Sequence, residues 1–284
     1  MRAEHPGGLM GLAPQYLKAA VGSFGPRASV LPDRERSREG VSVDRSHLAA
    51  YARVCGFAVD DVLPPTYPHV LAFPLQVELM ADRAFPLPLP GLVHIRNTIT
   101  VHRGIDAAEP LDVRVHAERF VAHPKGAQVD LVARVDAGGE PVWLGRSTYL
   151  ARGATAPAAD GDPAPAPPPG VSGGALAAVW RVDGGTGRRY AGVSGDVNPI
   201  HLHPLTARAF GFPRAIAHGM WTAGRALAAL QGRLPAALTY DVAFGKPLLL
   251  PSTVELHAAP AGDGWNLDVR RRVGAVHLTA TVRP

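Results

Sequence analysis

The chain holds a single cysteine, Cys55, in 284 residues. One thiol excludes an internal disulfide and any metal site built from several thiolates. Charge is also sparse: 19% of residues are Asp, Glu, Lys or Arg, with a net charge of +5. The cations are scattered, and the nearest thing to a run, Arg270-Arg271-Arg272, sits in a strand-like context. That distribution does not support a nucleic-acid function and suits weak attraction of an anionic substrate. No stretch approaches 18 uninterrupted apolar residues, and no basic start leads into an apolar segment. Neither a membrane span nor a leader is expected, which makes the cytoplasm the default location. The glycine-rich piece Gly184-Gly185-Thr186-Gly187 lacks both a GxGxxG pattern and a Walker lysine, so no nucleotide-phosphate cradle is supported. No His-Glu-x-x-His is present, and His201 and His203, two apart, would face different sides of a helix. No metal is therefore expected. Aromatic residues are few, at 6%, so Ala and Val must carry much of the core.

What is present is apolar mass. Residues of the hydrophobic set make up 46% of the chain, enough for one large or two ordinary domains. Residues 1–37 read as a loosely ordered arm, and 41–44 as a short strand. Asp44 is placed to cap a helix carrying Leu48, Tyr51, Val54 and Cys55 at helical spacing. Residues 69–80 are hydrophobic almost all round, as in a buried helix, with Pro74 starting or kinking it. Strand-like runs follow at 92–102, 111–121, 127–135 and 141–150. The Ala/Pro-rich stretch 151–172 lacks large apolar residues and reads as an extended linker. The same order then returns: a strand at 177–182, a helical turn, a loop, an apolar helix at 217–230, and strands at 238–244, 253–258, 265–272 and 275–282. Strand, buried helix and four strands, twice, at an offset of roughly 140 residues, is a repeat of domain size. It predicts an α+β fold with antiparallel sheet wrapped round apolar helices, divided into 38–150 and 173–284.

Chemistry concentrates at 190–220, which contains an acid, an amide, histidines and glycines. Asp196 and His201 lie five apart, around a turn punctuated by Gly195 and Pro199, so both side chains can enter one space. An acid and an imidazole so held have the makings of a general acid–base pair. Each residue also has a plainer reading when taken singly. Asp196 can form an Asx turn, His201 can be a helix-start or core histidine, and Tyr190 can be core. His203 and His218 read as structural, His218 with a buried hydrogen bond.

The run from Tyr190 through Ser194-Gly195-Asp196-Val197-Asn198-Pro199-Ile200-His201, followed by Ala217-His218-Gly219-Met220, resembles the hydratase motif of the MaoC-like (R)-specific enoyl-CoA hydratases and dehydratases. The resemblance implies two hotdog domains in one chain. It also implies reversible hydration of 2-enoyl thioesters to (R)-3-hydroxyacyl thioesters, with Asp196 and His201 as the catalytic pair. Gly219, at the start of the apolar helix, is the implied amide donor to the thioester oxygen. Asn198, Ser194, Tyr190 and His218 are assigned to substrate binding or loop orientation. No cofactor is needed, and the carrier is coenzyme A or an acyl carrier protein. A monomer and a homodimer both fit. The N-terminal half lacks the motif, so one active site per chain is expected, with the helix at 69–80 either lining an acyl tunnel or serving only as core. Two other functions stay open at this level: a hotdog acyl-CoA thioesterase, and a non-catalytic subunit that binds acyl thioesters.

Overall fold

The alternation that suggested strands is visible in the folded chain: Leu111, Val113 and Val115 are buried, while Asp112 and Arg114 between them turn outward. In the computed structural model, residues 28–157, 166–171 and 174–284 are described. The elements run β1 (Arg36–Val41), α1 (Arg45–Cys55), α2 (Tyr67–Ala81), β2 (Leu92–Val101), β3 (Leu111–His123), β4 (Gly126–Ala137) and β5 (Glu140–Arg152). There follow β6 (Ala175–Val182), α3 (Thr186–Ser194), α4 (Pro199–Leu202), α5 (Pro204–Ala209) and α6 (Gly219–Ala228). The chain closes with β7 (Leu238–Phe244), β8 (Ser252–Ala261), β9 (Gly264–Arg270) and β10 (Val276–Arg283).

The ten strands form one sheet in the order β1-β3-β4-β5-β2-β7-β10-β9-β8-β6. The five-strand order of the first half is repeated in the second, mirrored about the β2–β7 junction. That seam is an antiparallel ladder from Arg96 opposite Ala243 to Val101 opposite Leu238. A bidentate pair straps it: Arg96 donates to Asp241 through Nε at 3.0 Å and a terminal nitrogen at 2.6 Å, and Thr98 adds a hydroxyl at 3.0 Å. The internal repeat read from the sequence is thus a repeat of topology.

Helix α2 is buried on nearly every side and packs on β1, β3 and β4. It runs through Pro74, which sits past the first turn, removing one ladder hydrogen bond without ending the helix. Helix α6 meets α1 closely. A Cβ at Gly224 would come within 3.3 Å of Cys55 Sγ and 3.4 Å of the Tyr51 hydroxyl, a tight fit that would press the two helices apart by a few tenths of an ångström. Cys55 is fully buried there, and burial pushes its thiol up to about 12.

Several boundaries differ from expectation. The first strand spans Arg36–Val41 rather than 41–44, while Asp44 is, as expected, the N-cap of α1, accepting from the backbone N–H of Ser46 at 2.8 Å and His47 at 3.3 Å. Arg36 and Ser37 therefore lie in the sheet; of the 1–37 stretch, residues 1–27 lie outside the described residues. Strand β5 extends to Arg152, into the stretch expected as linker, of which 158–165 and 172–173 lie outside the described residues. Val171, near its end, is buried and its N–H donates to the Asp268 carboxylate at 2.9 Å. Only Arg270 of the arginine triplet is in a strand; Arg271 and Arg272 form the turn into β10.

Candidate active site

Gly195 ends α3 with φ +73°, its N–H returning to the Ala191 carbonyl at 2.9 Å. That left-handed cap throws the chain out of the helix. The next residues are held by local hydrogen bonds: the Asp196 N–H donates to Ser194 Oγ at 3.2 Å, and the Asn198 N–H to Asp196 Oδ1 at 3.1 Å. Asn198 Oδ1 then caps α4, accepting from the Ile200 N–H at 3.4 Å, with Pro199 at the first helical position. The Asx turn is therefore real and sets the loop through Asp196 Oδ1, while Oδ2 lies 3.8 Å from His218 Nε2. One turn of α4 carries His201 back over Asp196.

The histidine tautomers follow from their partners. His201 Nδ1 lies 2.9 Å from the Ile216 carbonyl, which can only accept, so Nδ1 bears the proton and Nε2 keeps its lone pair. His218 Nε2 lies 2.9 Å from the Asp196 carbonyl and must donate; its Nδ1 is enclosed, with no hydrogen-bond partner among the described residues. The two rings stack, centroids 3.7 Å apart and planes 27° apart. A ligand atom each of Asp196, His201 and His218 lie within 4.8 Å of one another. A metal reading fails on the stacking: nearly parallel imidazoles cannot both aim an in-plane lone pair at one ion. A water accepting and donating at about 2.8 Å fits such a gap far better.

Burial lowers the pKa of His201, with the Asp196 charge pulling the other way. His218 is held lower still, at about 3, by burial and then by the neighbouring His201. Both rings are therefore neutral at pH 7. Tyr190 packs its ring 4.9 Å from His218, and its own pKa is driven up by burial. His203, by contrast, is exposed and only caps α5, accepting from the Leu205 N–H at 3.1 Å.

Gly219 opens α6, and its N–H has no partner among the described residues, as expected of a first-turn donor. A Cβ there would come within 2.9 Å of the Phe244 ring, so the site admits only glycine without rearrangement. The cavity before it is lined by Asp196, His201, His218 and Gly219, and, from the N-terminal half, by Val70, Phe73 and Met80 of α2. The helix at 69–80 therefore lines the cavity as well as filling the core.

The sequence reading missed His69, His94 and Tyr149, which line the same cavity. His94 stacks on Tyr149 at 4.6 Å, lies 6.0 Å from His69, and touches Phe244 at 5.0 Å. The Asp196 charge is felt by all three, although burial still holds His69 at about 4 and His94 at about 3. A lone histidine in an apolar helix and another beside a bulge carry no spacing signal; only the β2–β7 seam brings them opposite Asp196.

Comparison with known proteins agrees with this architecture. Residues 182–282 match the family described as MaoC like domain. The 3-hydroxyacyl-thioester dehydratase X of Mycobacterium tuberculosis is 41% identical over 286 residues, covering 98% of each chain. This chain belongs to the MaoC-like dehydratase family. A crystal structure of that mycobacterial protein, HtdX, matches with TM-score 0.78 and 40% identity over 88% of this MaoC-like chain and 99% of its own. A MaoC-like dehydratase from Phytophthora capsici matches with TM-score 0.73 at 20% identity, over 89% and 96% of the two chains. A conserved M. tuberculosis protein with a double hotdog fold matches at TM-score 0.55 and 16% identity, over 92% and 98%. The last two show the fold alone: this MaoC-like chain is a double hotdog. No helix among the described residues is long and apolar enough to cross a membrane.

Proposed function

We propose that this protein catalyses the reversible hydration of trans-2-enoyl thioesters to (R)-3-hydroxyacyl thioesters, acting on coenzyme A or acyl-carrier-protein substrates without a cofactor. The observation that carries the reading is the convergence of the Asp196 carboxylate, the lone-pair nitrogen of His201 and the unpaired Gly219 N–H on one apolar-walled cavity. In the hydration direction a water sits between Asp196 and His201 Nε2. It adds as hydroxide to the β carbon while its proton passes to the pair. Electron density moves to the thioester oxygen, which the Gly219 N–H and the positive end of α6 stabilise. The pair then delivers its proton to the α carbon. Because the two groups are coupled, the proton belongs to the dyad and not to either residue alone. Dehydration is the same path reversed. In this reading 173–284 is the catalytic hotdog, and 38–150 supplies the facing wall.

The test is the loss of enoyl absorbance with 2-enoyl-CoA substrates of graded chain length, with chiral analysis of the product. A thioester that persists while the enoyl band disappears, giving the (R) product, supports the reading. Release of free thiol in its place identifies a thioesterase, and binding without turnover identifies a non-catalytic acyl-thioester subunit; either result refutes the proposal.

A further inference from the structure

The cavity holds polar atoms that hydration of the double bond leaves unused. Val93 and His94, adjacent in β2, both line it, although neighbours on a regular strand point to opposite faces. A bulge accounts for the exception: the register of β2 against β5 slips between His94 and Arg96, leaving Ile95 with no residue opposite. His94 is thereby set across from Tyr149, on which its ring stacks, with His69 of α2 beyond. The same ring meets Phe244, whose side chain closes on Gly219. One aromatic ring thus stands between His94 and the amide assigned to the thioester oxygen.

Two nitrogens of this group, His94 Nε2 and His69 Nδ1, are enclosed with no hydrogen-bond partner among the described residues. Enclosed polar atoms are costly to leave unpaired, and in folded proteins nearly all find a partner in protein, water or ligand. The polarity of the first is fixed. His94 hydrogen-bonds the Arg96 backbone, and that bond favours the charged ring, so the ring donates to the carbonyl there. With Nε2 unpartnered, the donor is Nδ1, and Nε2 keeps a lone pair that calls for a donor. Its neighbours supply none: Tyr149 directs its hydroxyl to Gln76 Oε1, 3.4 Å away, and Phe244 has no polar hydrogen. A ketone or a carboxylate on a substrate has no proton to give either. A hydroxyl does, and because it also accepts, it complements His69 in either tautomer.

We propose that His94, together with His69, selects 2-enoyl thioesters whose acyl chain bears a hydroxyl beyond the reacting double bond, that hydroxyl donating to His94 Nε2. This rests on the hydratase reading of the cavity, and the oxygen concerned is not the one that Asp196 and His201 add at the β carbon. An unsubstituted chain strands the buried nitrogen, which is the situation in which a polar site discriminates strongly.

The experiment compares kcat/KM, from the loss of enoyl absorbance, for 2-octenoyl-CoA and its derivatives hydroxylated at carbon 4, 5, 6 or 7, with the ketone at the preferred position. One hydroxylated chain should exceed the unsubstituted one by roughly tenfold or more, mainly through KM, and the ketone should not. His94→Phe keeps the aromatic stack while removing the acceptor, and should bring the ratio of hydroxylated to unsubstituted chain to one or below. His69→Leu should lower that ratio several-fold and serves if His94→Phe folds poorly. A wild-type chain indifferent to the hydroxyl at every position overturns the proposal, whatever the variants do. So does a ketone preferred as strongly as the hydroxyl, or a preference that survives both substitutions. An enoyl band that persists with every chain, 2-octenoyl-CoA included, sinks the hydratase reading itself, a separate result.

Discussion

Acid should unfold this protein through its cavity histidines before its carboxylates titrate. His69 and His218 are 4% and 3% exposed, and burial holds them at about 4 and about 3, against an ordinary value near 6.5. Below pH 6.5 the unfolded chain binds two protons that the folded chain refuses, so stability falls as pH falls. Near pH 5 the folded rings are almost wholly neutral and the unfolded ones almost wholly charged. The loss is then about 2 to 3 kcal/mol per pH unit for the two residues together, from 1.36 kcal/mol per proton and unit. Between pH 7 and 4.5 it accumulates to on the order of 5 kcal/mol, a large share of the 5–15 kcal/mol typical of a folded domain. His94, also held low but with its ring partly open to the cavity, acts in the same direction. Urea midpoints at pH 7.5, 6.0 and 5.0 measure the slope, and His69→Gln should remove about a third of it, deleting one of the protons that His69, His94 and His218 refuse. A midpoint unchanged from pH 7 to 5, or a His69→Gln variant with the full slope, would refute the claim that these rings are held neutral by enclosure.

Three further outcomes test the site and the scaffold. Asp196→Asn and His201→Ala should each lower turnover by about two orders of magnitude or more with the thermal midpoint little changed, because each removes one member of the proposed proton-handling pair; steady-state kinetics beside a melting curve decide it. Gly219→Ala should lower kcat by on the order of a hundredfold, since its methyl meets the Phe244 ring at 2.9 Å and blocks approach to the amide; an unaltered kcat would show that the oxygen is held elsewhere. Asp241→Ala should destabilise by roughly 1–3 kcal/mol, leaving the guanidinium of Arg96, one-fifth exposed, without its bidentate partner across the seam; denaturant titration reads it directly.

Local rules made much of this molecule legible from sequence. Gly195, Asn198 and Pro199 encode a turn by backbone preference alone, and that turn does bring Asp196 and His201 together. The two-period alternation in 238–244 located β7 to the residue, because one face of that strand is buried and the other is not. The start of β1 is not legible because Arg36-Ser37-Arg38-Glu39-Gly40 carries no apolar alternation, whereas the capping role of Asp44 is. His69 and His94 were missed for a different reason. Their meaning lies in sharing a cavity with Asp196, more than 100 residues away in sequence, whose charge both rings feel, and neither periodicity nor spacing encodes such a distance. His218 was only half understood: its buried hydrogen bond was anticipated, but its stacking on His201 depends on how α4 and α6 meet.

The β2–β7 junction has a consequence for how such a protein can change. In a symmetric pair of identical single hotdogs, every substitution in the chamber wall is copied onto the subunit that bears the reacting loop. Here the two surfaces are written in separate stretches of one polypeptide. Phe73, Met80 or His94 can be exchanged to admit a bulkier or more polar acyl tail while the loop from Gly195 to His201 stays untouched. On the proposed assignment, tailoring and chemistry are thereby unlinked, at the cost of one reaction centre for every two folding units.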